Sequence, residues 1–515
     1  MLPIGAVLSR ARRLYGGQEA VADEDGWITY ERLGSRVDAL SSAFAQSGLG
    51  RGDRVAILDV NSRQYLEVYY ATAQSGITLV PLNSRLSPPE IEFILRDCEA
   101  RALVVSHPFV DLATSIRDRL PTLELLFCYG ARSLPSRVLD YETILAAAPQ
   151  LNPYPPIDPS DLAQIYYTSG TTGHPKGVCL TYDNMAYSMV DAIVGLGLTH
   201  RDNWLHTAPL FHLVDAWSVW AVPLMGARQS VVHFDPDTVL RFIEQTKATA
   251  SGLPPTLIGM IANHGRLADF DISSMRLAIY GGSPMPEAVL RQALDKLPFD
   301  LVHGYGITET SGITTVLRPS SRAEALLRAR SAGQRVPSIR LEIRDDNGRA
   351  LGVGDVGEIV VRGPRVMKGY WSNEAETQRV LVDGTYYTGD LGYLDSDDNL
   401  TIVDRKKDMI ISGGENVYSA EVESLLSSHP QVAEVAVIGI PSEKWGEQVH
   451  AIIHARRGTE LDARQIVEWC RGKLAGYKIP KSISFTPEPL PRTGPGKIAK
   501  RRLRETFWEG RSNKI

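Results

Sequence analysis

At 515 residues the chain is longer than one compact core sustains, so at least two domains are expected. Its 43% hydrophobic and 22% charged residues are ordinary for a globular protein, and a net charge of −5 argues against a nucleic-acid partner. The four cysteines (Cys98, Cys128, Cys179, Cys470) have no CxxC spacing, so neither a disulfide framework nor a zinc site is expected, and a reducing cytoplasmic setting fits. The opening stretch "MLPIGAVLSRARRLYGG" sets its apolar patch ahead of its arginines, the reverse of a signal peptide. No uninterrupted apolar run approaches the roughly 18 residues of a membrane span, so no transmembrane segment is expected.

Along the first 300 or so residues, strand-like and helix-like patterns alternate. Leu33, Val37, Leu40 and Phe44 mark one helical face, and a glycine-rich turn then leads into "RVAILDV", a buried-strand pattern. "SRLSPPEIEFIL" starts a helix with a capping box, Ser87 with Glu90, and Pro88 at the first helical position. "RALVVS", "LELLFCYG", "AQIYYTSG", "RQSVVHF" and "RLAIYGG" follow, most with a helical stretch behind them. Such alternation predicts an α/β fold with mostly parallel sheets. From about Ser338 to Thr401 the rhythm shifts to short strands and Gly/Asp turns, as in "RLEIRDDNGRALG", which predicts a small β-subdomain. After "DRKKD" (Asp404–Asp408) the chain restarts with "SAEVESLLSSHP", "VAEVAVIGI" and "HAIIHA", enough for a compact α+β unit.

The segment "YYTSGTTGHPKG" (Tyr166–Gly177) is mostly hydroxyls and glycines behind an apolar run. Glycines let backbone N–H groups turn toward an anion, hydroxyls add donors, and Lys176 adds a full positive charge. The spacing of Gly170, Gly173, Lys176 and Gly177 is not that of a Walker loop, so its lysine placement does not transfer. By itself the segment also suits a plain surface loop.

The same segment resembles the phosphate loop of the adenylate-forming superfamily, which includes acyl-CoA synthetases, aryl-CoA ligases, peptide-synthetase adenylation domains and beetle luciferase. Four further stretches resemble that family's motifs and follow in its order: "HGYGITETSG" (His303–Gly312), "YYTGDLG" (Tyr386–Gly392), "DRKKDMIISGGENVYSAEVE" (Asp404–Glu423) and "PRTGPGKIAKRRL" (Pro491–Leu503). The resemblance spans nearly the whole chain. It implies a large N-terminal domain over residues 1–404, of two doubly wound parallel-rich sheets plus a small β-barrel-like subdomain. A mobile C-terminal α+β domain over 405–515 would be joined to it by a hinge.

Joining a carboxylic acid to ATP brings two anions together, so cationic groups and a metal must offset their repulsion. The resemblance gives that work to Thr168, Ser169, Gly170, Thr171, Thr172, Gly173 and Lys176 on the phosphates, with Thr308 donating to the α-phosphate. Glu309 would hold Mg²⁺, a hard ion that takes few protein carboxylates and keeps its substrate oxygens, and Thr168 would assist it. Adenine would lie against Gly281, Gly282, Ser283, His303, Gly304, Tyr305 and Gly306, with the two paired glycines permitting close approach. His303 stands where the family more often carries Gln, Asn or Asp. Asp390 and Arg405 would take the ribose, although a turn aspartate and a charged run such as "DRKKD" are more commonly structural. His212 in "PLFHLVDAW" would line the acyl channel beside the reacting carboxylate. Trp217, Trp220 and Leu224 follow it at helical spacing, and core packing is expected of them.

Lys497 would bridge carboxylate and α-phosphate during adenylation. Rotation about Lys407 would then withdraw it and bring up Gly414, Glu415 and Trp445 around a pantetheine tunnel for the second half-reaction. The last 45 residues, Arg471 to Ile515, hold 12 Lys/Arg against 3 Asp/Glu, net +9, a bias suited to CoA phosphates and equally to a solvated basic face. The expected activity is an ATP-, Mg²⁺- and CoA-dependent ligase acting on a medium or long fatty acid. The alternatives are an aryl-acid CoA ligase and, in another class, a non-catalytic nucleotide-binding sensor. The family resemblance also allows a homodimer.

Overall fold

The computed structural model describes residues 2–148, 156–168, 175–283, 285–492 and 498–509. Strand and helix alternate as the sequence predicts; the opening hairpin, Glu19–Asp23 with Gly26–Thr29, joins the larger sheet, and the strands after it build a smaller one in which Arg54–Leu58 is central. Thr78–Pro81 lies parallel on one side of it, and Ala102–Ser106 with Leu125–Tyr129 lies parallel on the other. Ala102–Ser106 is buried at all positions, as expected of a strand covered by helices on both faces. Leu162–Thr168 joins beside Thr78–Pro81, and Lys176–Thr181 returns antiparallel to it, with Thr168 opposite Lys176. The helix Tyr30–Gln46 packs on this sheet through the predicted face, with Leu33, Val37, Leu40 and Phe44 all buried. At the helix Pro88–Asp97 the predicted capping box is formed, Glu90 accepting from the Ser87 amide at 2.8 Å.

The larger sheet has a parallel centre, Arg228–Val231, Asn203–His206, Ala250–Gly252, Leu277–Gly281 and Asp300–Ile307 in that spatial order. From Asn203–His206 the chain crosses first to one neighbour and then to the other. The carboxyl ends of Asn203–His206 and Ala250–Gly252 therefore border the crevice where an α/β sheet receives ligands. Beyond Asp300–Ile307 the sheet turns antiparallel through Gly312–Leu317 and Ser331–Arg335. Ser331–Arg335 also pairs with Leu400–Arg405, and this links the expected β-subdomain edge to edge with the main sheet. That subdomain carries Arg340–Arg344, Gly357–Arg362 and Thr385–Leu394, and has a small core of its own around Leu341, Ile343, Ile359 and Leu400.

A third sheet begins at Ile410–Ser412 and includes the long hairpin Val432–Ser442 with Gly446–Ala455. Helices Ser419–Ser427, Ala463–Cys470 and Lys500–Trp508 accompany it, and Ile410, Val422, Leu426, Val437, Val449 and Ile466 form a separate core. This is the compact α+β unit expected after "DRKKD". All four cysteines are free and buried, and burial pushes the Cys98 and Cys179 thiols up to about 12. Among the described residues no helix is long and apolar enough to cross a membrane.

The tryptophans after His212 are core residues, as expected. Trp217 packs edge-on against Trp204 at 4.9 Å, and Trp220 meets Tyr69 and Tyr70 edge-on at 5.9 and 5.7 Å. Replacing Trp220 with alanine should therefore act on stability, lowering it by about 3–5 kcal/mol as measured by thermal or denaturant unfolding.

Candidate active site

The sequence-marked residues gather where the carboxyl ends of Leu277–Gly281 and Asp300–Ile307 meet the start of Lys176–Thr181 and the strand Thr385–Leu394. The short 3₁₀ turn Thr308–Thr310 that ends Asp300–Ile307 packs near Lys176–Thr181. Strand packing alone requires glycine at two of these positions. A Cβ on Gly281 would lie 2.1 Å from the Gly304 carbonyl oxygen, and one on Gly306 would lie 2.0 Å from that of Gly312. Contact between neighbouring strands, rather than the approach of a base, forbids a side chain at these two positions. Gly282 differs again: its φ of +75° is the left-handed conformation that glycine adopts without strain. Ser283 follows it, half-buried.

His303 stacks flat on Tyr280, with ring centroids 4.8 Å apart and planes within 1°. Its Nδ1 lies 2.7 Å from the Ser331 carbonyl oxygen. A carbonyl only accepts, so Nδ1 carries the proton, and burial lowers the histidine's pKa and keeps the ring neutral. Nε2 is then an acceptor, the group an exocyclic amine requires.

Tyr305 makes a contact that its sequence context does not announce. It is buried, and its hydroxyl donates to Asp390 Oδ2 at 2.8 Å, so its evident task is to orient that carboxylate. Asp390 and Arg405 are register partners on adjacent strands and form an ion pair at 3.6 Å.

Glu309 is half-buried, and burial raises its pKa, so its charge calls for a cation. One of its oxygens accepts from the Tyr370 hydroxyl at 2.9 Å. Lys176 forms an ion pair with Glu376, and its ammonium lies 5.3 Å from the Tyr370 ring centroid. Glu376 is also held by Arg379, whose two hydrogen bonds, with Lys176 adding to them, bring its carboxyl down to about 2. Thr308 is half-buried at the head of the turn. Behind that turn Arg365 is fully buried, 3.1 Å from Asp191 and 3.1 Å from the Ser311 carbonyl oxygen. It pins Ser311 in a left-handed conformation, φ 58°.

Tyr370, Glu376 and Arg365 were not marked by sequence reasoning. "GYWSNEAET" reads as a helix start, and Asn373 does cap the helix Glu374–Val380 by accepting from the Glu376 amide at 3.1 Å. A residue whose local role is complete gives no sign of a second one. Arg365, one of three basic residues in "VRGPRVMK", carries no sign in the sequence that sets it apart from its neighbours.

His212 precedes the short helix Leu213–Ala216, its ring edge-on to buried Phe211 at 4.6 Å. Exposed Val214 reaches Gly282, and its carbonyl faces Gly252. This segment therefore lies across the strand ends at the sheet's switch point.

Between the second and third sheets, Lys406 is tied to the N-terminal side through Glu358 at 3.0 Å, Asp346 at 2.8 Å and the Gly389 carbonyl at 2.8 Å. Arg504, on the last helix, donates to the Lys407 carbonyl at 2.8 Å and lies 3.3 Å from Asp408. Lys407 thus sits between the two anchorages. The Gly413 amide donates to the Trp445 carbonyl at 2.8 Å, and open space surrounds the Cβ position of Gly414. Glu415 and Trp445 are exposed. Ser169, Gly170, Thr171, Thr172, Gly173 and Lys497 lie outside the described residues.

Residues 8–371 match the model of the AMP-binding enzyme family, and residues 421–497 match that of the AMP-binding enzyme C-terminal domain. The chain belongs to the AMP-binding enzymes. It is 38% identical to a feruloyl-CoA synthase of an Amycolatopsis species over 98% of this chain and 99% of that one. A long-chain-fatty-acid–CoA ligase of Mycobacterium tuberculosis is 35% identical over 93% of each. An anthranilate CoA ligase solved in complex with anthranoyl-AMP superimposes with a TM-score of 0.89 at 27% identity, covering 98% and 97% of the two chains. This AMP-binding enzyme is accordingly an AMP-forming acid–CoA ligase, with ATP and CoA as substrates alongside a carboxylic acid.

Arg365→Ala should strand Asp191 in the interior of this AMP-binding enzyme and destabilise it by about 3–5 kcal/mol. Arg365→Met, which also lacks the charge, should not restore it. Melting temperatures measure both.

Proposed function

We propose that the enzyme activates a compact aromatic or arylalkyl carboxylic acid, in preference to the medium or long fatty acid expected first. The observation that carries this reading is the wall behind His212. Val214 stands at Gly282 and the Trp217–Trp204 pair packs in the core behind the same segment; we take that rigid pair as the closed end of the acyl site, which suits a compact acid better than an extended one. The aryl acids named for the feruloyl-CoA and anthranilate relatives support it. The long-chain relative supports the fatty-acid alternative.

In the first half-reaction the acid's carboxylate attacks the α-phosphorus of ATP, pyrophosphate leaves, and an acyl-adenylate forms. In the second, a CoA thiol attacks the activated carbonyl and AMP leaves. We place adenine against the Tyr280–His303 stack with its amine toward His303 Nε2, and the ribose hydroxyls on Asp390, where a carboxylate accepts both. Lys176 and Thr308 face the phosphates, with Lys497 reaching over from the C-terminal domain. Glu309 and Thr168 suit Mg²⁺, which would spread the charge of the phosphate oxygens; a half-buried carboxylate that burial disfavours as an anion gains from such an ion. Lys407, between its two anchors, is the proposed hinge, with the domains divided at 404/405.

The deciding experiment is a panel of acids assayed for AMP release with CoA present. An aryl acid should exceed octanoate and palmitate in kcat/KM by at least tenfold; the reverse order would return the fatty-acid reading. His303→Phe keeps the stack but removes the acceptor, so the preference for ATP over ITP should fall by about tenfold, the weight of one buried hydrogen bond. Because burial depresses the histidine's pKa, the wild-type preference should persist below pH 6.5, where an exposed histidine would have lost the acceptor. Lys497→Ala should lower carboxylate-dependent pyrophosphate exchange by about 10²-fold or more while largely sparing thioester formation from synthetic acyl-AMP. Lys407→Pro should do the opposite.

A further inference from the structure

Lys176 and Glu309 carry opposite charges in one site. An ammonium and a carboxylate left facing each other attract strongly where water is scarce, and that pair would have to be broken by each incoming nucleotide. Here a single side chain engages both. The Tyr370 hydroxyl donates to Glu309 Oε1 at 2.9 Å, while its ring lies beneath the Lys176 ammonium. Tyr370 is itself fixed, its backbone paired in register with Val178 and its amide donating to Thr377 Oγ1 at 2.9 Å. Lys176 is in turn drawn to Glu376, which Arg379 grips through two nitrogens at 2.8 Å each.

We propose that Tyr370 is a positioning residue that keeps the phosphate-side lysine and the metal-side carboxylate apart before nucleotide binds, and that the Glu376–Arg379 pair is the berth from which Lys176 moves to the phosphates. The inference rests on the adenylation reading of Lys176 and Glu309 given above. Arg379 stays on Glu376 when Lys176 leaves, so the transfer strands no carboxylate. The hydroxyl and the ring do separate work: the first holds Glu309 toward its cation, and the second separates Lys176 from Glu309.

Two variants of the full-length enzyme test the two parts. Tyr370→Phe removes only the hydroxyl. Binding of Mn²⁺ in the presence of a saturating α,β-methylene ATP analogue, followed by the EPR signal of free Mn²⁺, should weaken by about tenfold, the weight of a hydrogen bond to a charged group. Metal-free AMP binding should not change. Unchanged Mn²⁺ binding would overturn the role given to the hydroxyl. Tyr370→Leu removes the ring, and zero-length carbodiimide coupling followed by peptide mass spectrometry reads which carboxylate contacts Lys176. Wild type should yield the Lys176–Glu376 amide, and the leucine variant should shift to Lys176–Glu309. Persistence of Lys176–Glu376 alone in that variant would overturn the role given to the ring. Wild-type enzyme that exchanges pyrophosphate into ATP with none of the acid panel would overturn the adenylation reading itself, whatever the two variants show.

Discussion

The site depends on a short stitch between two sheets. Residues 367–371 run antiparallel to the strand Lys176–Thr181, the Trp371 amide donating to the Gly177 carbonyl at 2.7 Å and the Lys368 amide to that of Cys179 at 3.0 Å. In the same stretch the Met367 amide donates to the Glu309 carbonyl at 2.8 Å. One strip of backbone therefore holds the lysine strand of the smaller sheet and the carboxylate turn of the larger one at a set distance. Backbone hydrogen bonds shielded from water are costly to leave unmade, so this spacing is not easily changed.

That constraint explains why the buried charges cluster around the stitch. Asn184 clamps its start by donating to the Pro364 and Val366 carbonyls at 2.7 and 3.0 Å, and Arg365 reaches back to Asp191 and Ser311. Arg365 loses hydration by this burial, and the loss is offset because a carboxylate and a backbone carbonyl receive its protons. Lys176 opens one strand and Glu309 lies on the turn that ends another, so both stand on elements the stitch holds in place.

The C-terminal unit is attached by charge and capping. Asp404, still within the N-terminal sheet, accepts from the backbone amide and the hydroxyl of Ser419 and so caps the helix that opens the third sheet's domain. Lys500 reaches the same serine at 2.8 Å and Glu423 at 2.7 Å.

Sequence alone determined the order of elements and the residue types at the site, because those are written in local patterns. The face of Tyr30–Gln46, the capping box at Ser87 and the core tryptophans all follow from periodicity and nearest-neighbour chemistry. Asp390 with Arg405 and the glycines beside His303 were singled out only by the family resemblance. The tertiary structure alone decided why Gly281 and Gly306 lack side chains, that Tyr305 serves Asp390, and that Tyr370, Glu376 and Arg365 belong to the site. Each of these rests on a contact between segments distant in the chain. Tyr370 lies 61 residues from Glu309, and Glu376 lies 200 from Lys176. No local pattern encodes such pairings, because the free energy that selects them exists only once both sheets have closed on the same strip of backbone.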